Sequence, residues 1–479
     1  LSTKSKNKAK IIKREIDLGS LNSDQEVAFN KLLSYILDRE DHRVFVLKGW
    51  AGTGKTFCMS MLVNYIINDV YPDRDWYKIA VTGPTNKSVR VIRKASGLHH
   101  PRVSFQTIHS LLGLKEKITQ EGKIEFVNES DFKPSIASTK LLIIDEVSML
   151  NDELFEKIIK YREKTKIICM GDPAQIPPVG RPDCIPFLDD LHEKYGIKTL
   201  QLKTIMRQKL NNPIISTSVL LRKSVNLSSP VLKNESHING DGEGIEFLNL
   251  NDEQTRKGFS AKLGEYFKTK EFEKNSDFCK VIAWRNKTVQ TMNGIVRKVI
   301  YGEIAASNKI LEGEKLIVNS PIIENGLVMY NTNDELTVKS FVIKEEKLSV
   351  DDEVYTVKYY HTSVVYLDQN GESVHDKIDI IHESSDVDFK KAANVLRLIA
   401  ISKKGKERSW VNYYDFLRRF ADVSYSYAIT AHKSQGSTYT YAFLSEDDIN
   451  LNPEVIERNR IKYTAYTRAS KKLYVLKRF

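Results

Sequence analysis

Cysteine is scarce in this chain. There are four in 479 residues, Cys58, Cys169, Cys184 and Cys279, and none stands in C-x-x-C spacing. That excludes a disulfide-stapled scaffold and argues against a cysteine zinc site; Cys58 and Cys169 fall in apolar segments, so buried free thiols in a reducing compartment are expected. Also missing are an apolar run of the roughly 18 residues that a spanning helix needs and a recognisable signal peptide, so the expected protein is soluble and intracellular, with no membrane partner. There is no internal repeat and no extended low-complexity segment. Acidic residues are in deficit, 62 Asp+Glu against 73 Lys+Arg, which leaves a formal charge of +11. A surplus of that sign suits a polyanionic partner. The opening Lys4, Lys6, Lys8, Lys10, Lys13 and Arg14 suit a disordered tail or an auxiliary nucleic-acid contact.

At this length several domains are expected, since single cores seldom grow past about 250–300 residues. From about Leu21 to Leu200, amphipathic helices alternate with short apolar runs at Val44–Leu47, Ile79–Val81, Leu141–Ile144 and Ile167–Met170. Apolar runs separated by helices imply a parallel α/β sheet, which binds ligands beyond its C-terminal strand ends. "SDQE", Ser23 to Glu26, has the form of a capping box opening the first helix. A second α/β set runs from about Thr204 to Tyr301 and resumes near Asp422, with candidate strands at Lys280–Ala283, Tyr441–Leu444 and Leu473–Leu476. Between them, β-branched and aromatic runs such as "ELTVKSFVIK", "EVYTVKYY" and "TSVVYL" predict a small β-rich insertion, closed by helices near Phe389–Leu398 and Trp410–Phe420.

The first strand runs into "GWAGTGKT", residues 49 to 56, of the form G-x-x-x-x-G-K-[ST]. In such a loop the backbone N–H groups of Gly49, Ala51, Gly52, Thr53 and Gly54 close around phosphate oxygens. Lys55 reaches the β- and γ-phosphates and Thr56 offers a hydroxyl to Mg²⁺. "LLIIDEVSM" ends a buried strand in Asp145 and Glu146, where an Asp holds Mg²⁺ and a Glu orients and deprotonates the attacking water. Gln175, in "GDPAQIPPV", offers an amide to sense the γ-phosphate.

GWAGTGKT, GPTNKS, TIHSLL, DEVSM, GDPAQIPPV, AHKSQGST and YTAYTRA follow one another in this order. The series resembles the motifs of superfamily-one helicases, and within them the phage Dda and RecD-like group, which moves 5′→3′ on DNA. The resemblance implies two RecA-like parallel-sheet P-loop domains with ATP in the cleft between them and single-stranded DNA across their top. It implies adenine reading by Gln25, arginine fingers at Arg207 and Arg468, and contact with nucleotide and nucleic acid by Gln435 and Gly436. A DNA track would take Pro84, Thr85, Asn86, Thr107, His109, Thr430, His432 and Lys433. Small hydroxyls, amides and a lysine suit phosphate and sugar contacts, which fix register without reading sequence. Trp284, Arg285 and Asn286 offer a stacking face beside a cation. His109 and Trp284 fit a packed core equally well.

"GLKEKITQEGKIEFVNES", from Gly113, reads as a β-hairpin turning at Glu121-Gly122. In the resembled family a hairpin here is the pin that splits duplex, and Ile118 and Phe126 are its candidate apolar contacts. The expected organisation is a basic tail over 1–20 and a first RecA-like domain over 21–200, with the pin insertion at about 113–138. A second RecA-like domain takes 201–302 and 416–479, and an SH3-like accessory subdomain takes 303–415. The activity so implied is ATP- and Mg²⁺-dependent 5′→3′ unwinding in replication, repair or recombination. The implied partners are single-stranded and forked DNA and replication or recombination proteins, and the protein would act as a monomer in the cytoplasm or nucleoid. Two alternatives stay open: an RNA helicase of the same superfamily, since 2′-OH discrimination is not readable here, and a nucleic-acid clamp that uses nucleotide only as a switch.

Overall fold

The computed structural model describes residues 20–38, 44–128, 134–205, 211–227, 235–324, 327–368, 370–402 and 409–477. The basic tail, save Ser20, and Arg207 lie outside the described residues. The chain forms two compact units. The first takes residues up to Pro84, Ser88–Gly113 and Asp131–Leu210; the second takes Thr85–Lys87, Leu114–Ser130 and Asn211–Phe479.

The four apolar runs of the first part are strands, and two further strands that the apolar runs did not mark join them. Strands β1 (Val44–Gly49), β2 (Lys78–Gly83) and β3 (Val103–Thr107) are followed by a hairpin of β4 (Lys115–Ile118) and β5 (Ile124–Val127), then by β6 (Thr139–Ile144), β7 (Lys166–Gly171) and β8 (Ile197–Leu202). Apart from the hairpin these form one parallel sheet in the order β3-β2-β6-β7-β1-β8. Its central strands are apolar on both faces, as helix-covered parallel strands must be: Val44, Val46, Leu141 through Ile144, and Ile167 through Met170 are fully buried. Phe29 and Leu32 of the helix Ser23–Leu37 share one apolar core with Leu62 and Val63 of the helix Lys55–Tyr65 and with Ile143 and Ile168 of the sheet. Its capping box starts one residue earlier than the sequence form suggests. Asn22 is the N-cap, its side chain accepting from Gln25 N–H, while the Gln25 side chain accepts from Asn22 N–H. Ser23 is thereby the first helical residue, because glutamine serves as well as glutamate at the third position of such a box.

In the second unit, β9 (His237–Ile238), β10 (Gly244–Asn249) and β11 (Cys279–Ala283) precede an antiparallel region. That region comprises β12 (Lys315–Val318), β13 (Ile322–Glu324), β14 (Leu327–Tyr330), β15 (Glu335–Val350), β16 (Glu353–Leu367), β17 (Ser373–Ile381) and β18 (Val423–Tyr425). The chain then returns through β19 (Ala428–Thr430), β20 (Tyr439–Ser445) and β21 (Ala469–Lys477). A second sheet runs β19-β11-β20-β21-β10-β9, parallel except at the β9 edge. Phe259, Leu263, Val281, Phe443 and Tyr474 build its core. The antiparallel sheet runs β17-β16-β15-β12-β18 around Leu316, Val318, Leu336, Val338, Tyr360, Val364 and Ile378.

All four cysteines are buried and free, and burial pushes the Cys58 thiol up to about 11, which leaves it unreactive near neutrality. Among the described residues no helix is long and apolar enough to cross a membrane.

Candidate active site and nucleic-acid interface

The phosphate-type loop is built where β1 stops and a helix starts. Gly54 takes a left-handed φ of 71° and is the N-cap of the helix Lys55–Tyr65, with no side chain capping that helix. The first helical N–H groups therefore face the loop, the arrangement that attracts anions. A Cβ at Gly54 would stand 2.4 Å from Gln25 Nε2, and one at Gly49 would stand 2.8 Å from Thr53 Oγ1. Gly54 is thus glycine for space as well as for conformation, and Gly49 for space. Lys55 Nζ donates to the carbonyls of Gly49 at 2.8 Å and Trp50 at 3.2 Å, which curls the ammonium over the loop mouth. Gln25, 1% exposed, donates from Nε2 to the Thr53 carbonyl at 3.0 Å, so its amide lies against the loop.

The acidic pair meets the loop directly. Asp145 Oδ2 accepts from Thr56 Oγ1 at 3.3 Å, and Oδ1 accepts from the Glu146 N–H at 2.8 Å. Burial pushes the Asp145 carboxyl up, opposed by the Lys55 charge. Glu146 has φ 51° and ψ 42°, in the left-handed region. For a non-glycine residue that conformation costs on the order of 1–2 kcal/mol, and such strain concentrates at functional positions. Gln175 follows β7 in a turn set by Asp172, whose side chain accepts from Ala174 N–H and whose carbonyl accepts from Gln175 N–H. It is 4% exposed, and its Oε1 has no hydrogen-bond partner among the described residues. Since β6, β7 and β1 are neighbours in the sheet, these motifs share one edge.

The second unit joins two further motifs. The Arg468 guanidinium, 5% exposed, donates to the carbonyls of Thr464 (2.9 Å) and Ser437 (3.1 Å) and to Thr467 Oγ1 (2.9 Å). It thereby holds one flank of the turn carrying Gln435 and Gly436, the latter at φ 71°.

Track candidates divide between the units. In the first, Gly83 pairs with Thr107 across β2 and β3, so Pro84 and Thr107 share a strand edge. Thr107 caps the short helix Ile108–Leu112 through the Ser110 N–H. His109 is half-buried; burial lowers its basicity, aided by Lys157 and opposed by Glu153. In the second, Ala283 pairs with Thr430, and the Ala431 N–H donates to the Ala283 carbonyl, which brings Trp284, Arg285 and Asn286 beside Thr430, His432 and Lys433. Burial lowers the basicity of His432, opposed by Glu457, and of Lys433, opposed by Asp422. Sequence reasoning missed Asp448, which organises this corner. Its carboxylate accepts the backbone N–H groups of Trp284 and Arg285 at 2.8 Å, and Arg285 Nε and Thr288 Oγ1 at 2.6 Å. Although burial pushes the carboxyl up, these donors hold it below the usual range. Arg285 and Asn286 stay exposed, while Trp284 is half-buried.

The hairpin is antiparallel with Glu116 opposite Phe126 and Ile118 opposite Ile124, and Gly122 turns it at φ 78°. Phe126 is 38% exposed. Its tip is braced by the helix Ser409–Arg418. Tyr414 Oη donates to the Gly122 carbonyl at 2.8 Å, Arg418 pairs with Glu116, and a Cβ at Gly122 would lie 2.5 Å from the Trp410 indole. Trp410, Tyr414 and Arg418 recur every four residues, the spacing of one helical face. That spacing was the available signal.

The family described as an AAA domain matches residues 20–239, and the UvrD-like helicase C-terminal domain matches residues 425–476. An uncharacterized protein of Acanthamoeba polyphaga mimivirus is 26% identical, covering 94% of this chain and 99% of its own. The ATP-dependent DNA helicase dda of Enterobacteria phage T4 is 27% identical over 88% of this chain and 92% of its own. The crystal structure of Pif1 helicase from Candida albicans aligns with a TM-score of 0.47 and 16% identity, covering 95% of this chain and 94% of that one. The AAA domain followed by the UvrD-like helicase C-terminal domain, in the same order as the motifs, indicates a superfamily-one helicase, and the chain is a homologue of the phage T4 Dda helicase and of the Pif1 helicases.

Proposed function

We propose that this chain is an ATP-dependent DNA helicase that moves 5′→3′ along single-stranded DNA and opens duplex at a fork. One observation carries the reading: similarity to the phage T4 DNA helicase extends over 88% of the chain, beyond the AAA match that ends at residue 239. A clamp that merely switches on nucleotide would need only the first part. In the proposed chemistry the loop Gly49–Thr56 holds the ATP phosphates and Gln25 reads the base. Glu146 takes a proton from water, and Gln175 aligns that water. The paired oxygens of Thr56 and Asp145 are hard donors that suit Mg²⁺, which keeps several of its waters and neutralises phosphate charge when bound. Arg207 and Arg468 are assigned the neutralisation of charge developing on the γ-phosphoryl group. Pro84, Thr85, Asn86, Thr107, His109, Thr430, His432 and Lys433 are assigned to the strand, with Trp284 and Arg285 beside it.

Phosphate release measured with and without mixed-sequence single-stranded DNA tests the reading. Turnover should rise strongly with DNA, and DNA affinity should fall roughly tenfold or more between about 50 and 200 mM salt, because a basic track releases counterions. Turnover indifferent to DNA would point to the clamp, and stimulation by RNA alone to the RNA alternative.

A further inference from the structure

Lys87 follows the track candidates Thr85 and Asn86, where a lysine would be expected to reach a phosphate. The structure turns it inward. Its Nζ lies 2.7 Å from Glu335 Oε1 and 2.7 Å from Asp277 Oδ1, with the side chain 14% exposed, and 5.4 Å from the Tyr439 ring centroid. Glu335, the first residue of β15, accepts with its other oxygen from Lys280 Nζ at 3.0 Å and Ser276 Oγ at 2.7 Å. Lys280 is fully buried on β11 and also donates to the Ser426 carbonyl. Asn86 Nδ2 reaches Asp334 Oδ2 at 3.5 Å, so Asn86 and Lys87 dock on consecutive residues of the antiparallel sheet's rim. The same rim grips the other track segment: Lys433 Nζ donates at 3.3 Å to Asn319, the residue after β12, and the Asn319 side chain donates to Asp422.

A cluster of this kind is a poor stabiliser, since desolvation offsets most of the attraction, and its best-attested use is to fix register. We infer that Lys87 and Glu335 are positioning residues, which hold Thr85 and Asn86 at the geometry that binds single-stranded nucleic acid while Lys87 itself does not touch the strand. The inference rests on the helicase reading and adds a role for the accessory sheet in strand binding.

Lys87→Met tests it, because it keeps the stem, and Glu335 retains Lys280 and Ser276. The single-stranded DNA concentration that half-maximally stimulates ATP turnover should rise about tenfold, with the maximal and DNA-free rates changed less than about twofold. The slope of log affinity against log salt should stay unchanged. Glu335→Gln should reproduce the shift, and the double variant should not exceed it, because both break one tether. A phosphate-contacting lysine would instead lower the slope by about 0.7 and leave Glu335→Gln near normal. Either that pattern, or variants that melt earlier with unchanged DNA half-saturation, overturns the inference. Unstimulated turnover in the unsubstituted protein would count against the helicase reading itself.

Discussion

Glu146→Gln is expected to lower DNA-stimulated ATP turnover by roughly 10²–10⁴-fold, the usual contribution of a positioned general base. Nucleotide affinity should change little. The amide is isosteric with the carboxylate and takes the same left-handed backbone position (φ 51°) that aims residue 146, so what disappears is proton-accepting capacity in the transition state alone. Lys55→Ala should fail differently. Its ammonium already sits over the loop carbonyls of Gly49 and Trp50, where it would touch phosphate in ground and transition states alike, so affinity and turnover should fall together. Nucleotide titration beside phosphate release separates the two, and near-normal turnover in Glu146→Gln would remove that residue from its assigned role.

Replacing Ile118 through Phe126 with a short Gly-Ser turn should abolish duplex unwinding while single-strand-stimulated ATPase stays within about twofold, since every assigned hydrolytic residue lies elsewhere. Opening each base pair costs about 1.4 kcal/mol of stacking, and a wedge helps only if it does not yield. In the proposed wedge, the contacts of Trp410, Tyr414 and Arg418 with the hairpin would supply that stiffness. Trp410→Ala should therefore also reduce unwinding, with the hairpin intact. Survival of unwinding after hairpin replacement would refute the pin, and collapse of the ATPase would show that the segment supports the fold instead.

The central strands of the parallel sheets were legible because they are short, apolar on both faces and end in residues unusual for surface, a glycine loop after Leu47 and an acidic pair after Ile144, whereas the flanking β3, β8 and β10 are more polar and were not legible. Nor were the long antiparallel strands. β15 runs on from its apolar half through Lys344, Glu345, Glu346 and Lys347, and β16 joins two aromatic runs through His361 and Thr362. Lys344, Glu345 and Lys347 are exposed and Glu346 is half-buried beside Arg419, so no apolar alternation marks them as strand. Within the candidate site, the phosphate loop and acidic pair could be read locally, since each is a contiguous motif. The tethers could not. Lys87 meets Glu335 across 248 residues, Tyr414 meets Gly122 across 292, and Asp448 reaches Arg285 across 163. Such pairings depend on topology, and a lysine beside a track motif looks the same in sequence whether it faces solvent or a buried carboxylate.

Unwinding of matched DNA duplexes that differ only in carrying a 5′ or a 3′ single-stranded tail, with ATP and Mg²⁺, tests the central claim most directly. The 5′-tailed duplex should open and the 3′-tailed one should remain closed. Opening only from the 3′ tail, or ATP hydrolysis with neither duplex opened, would contradict the account.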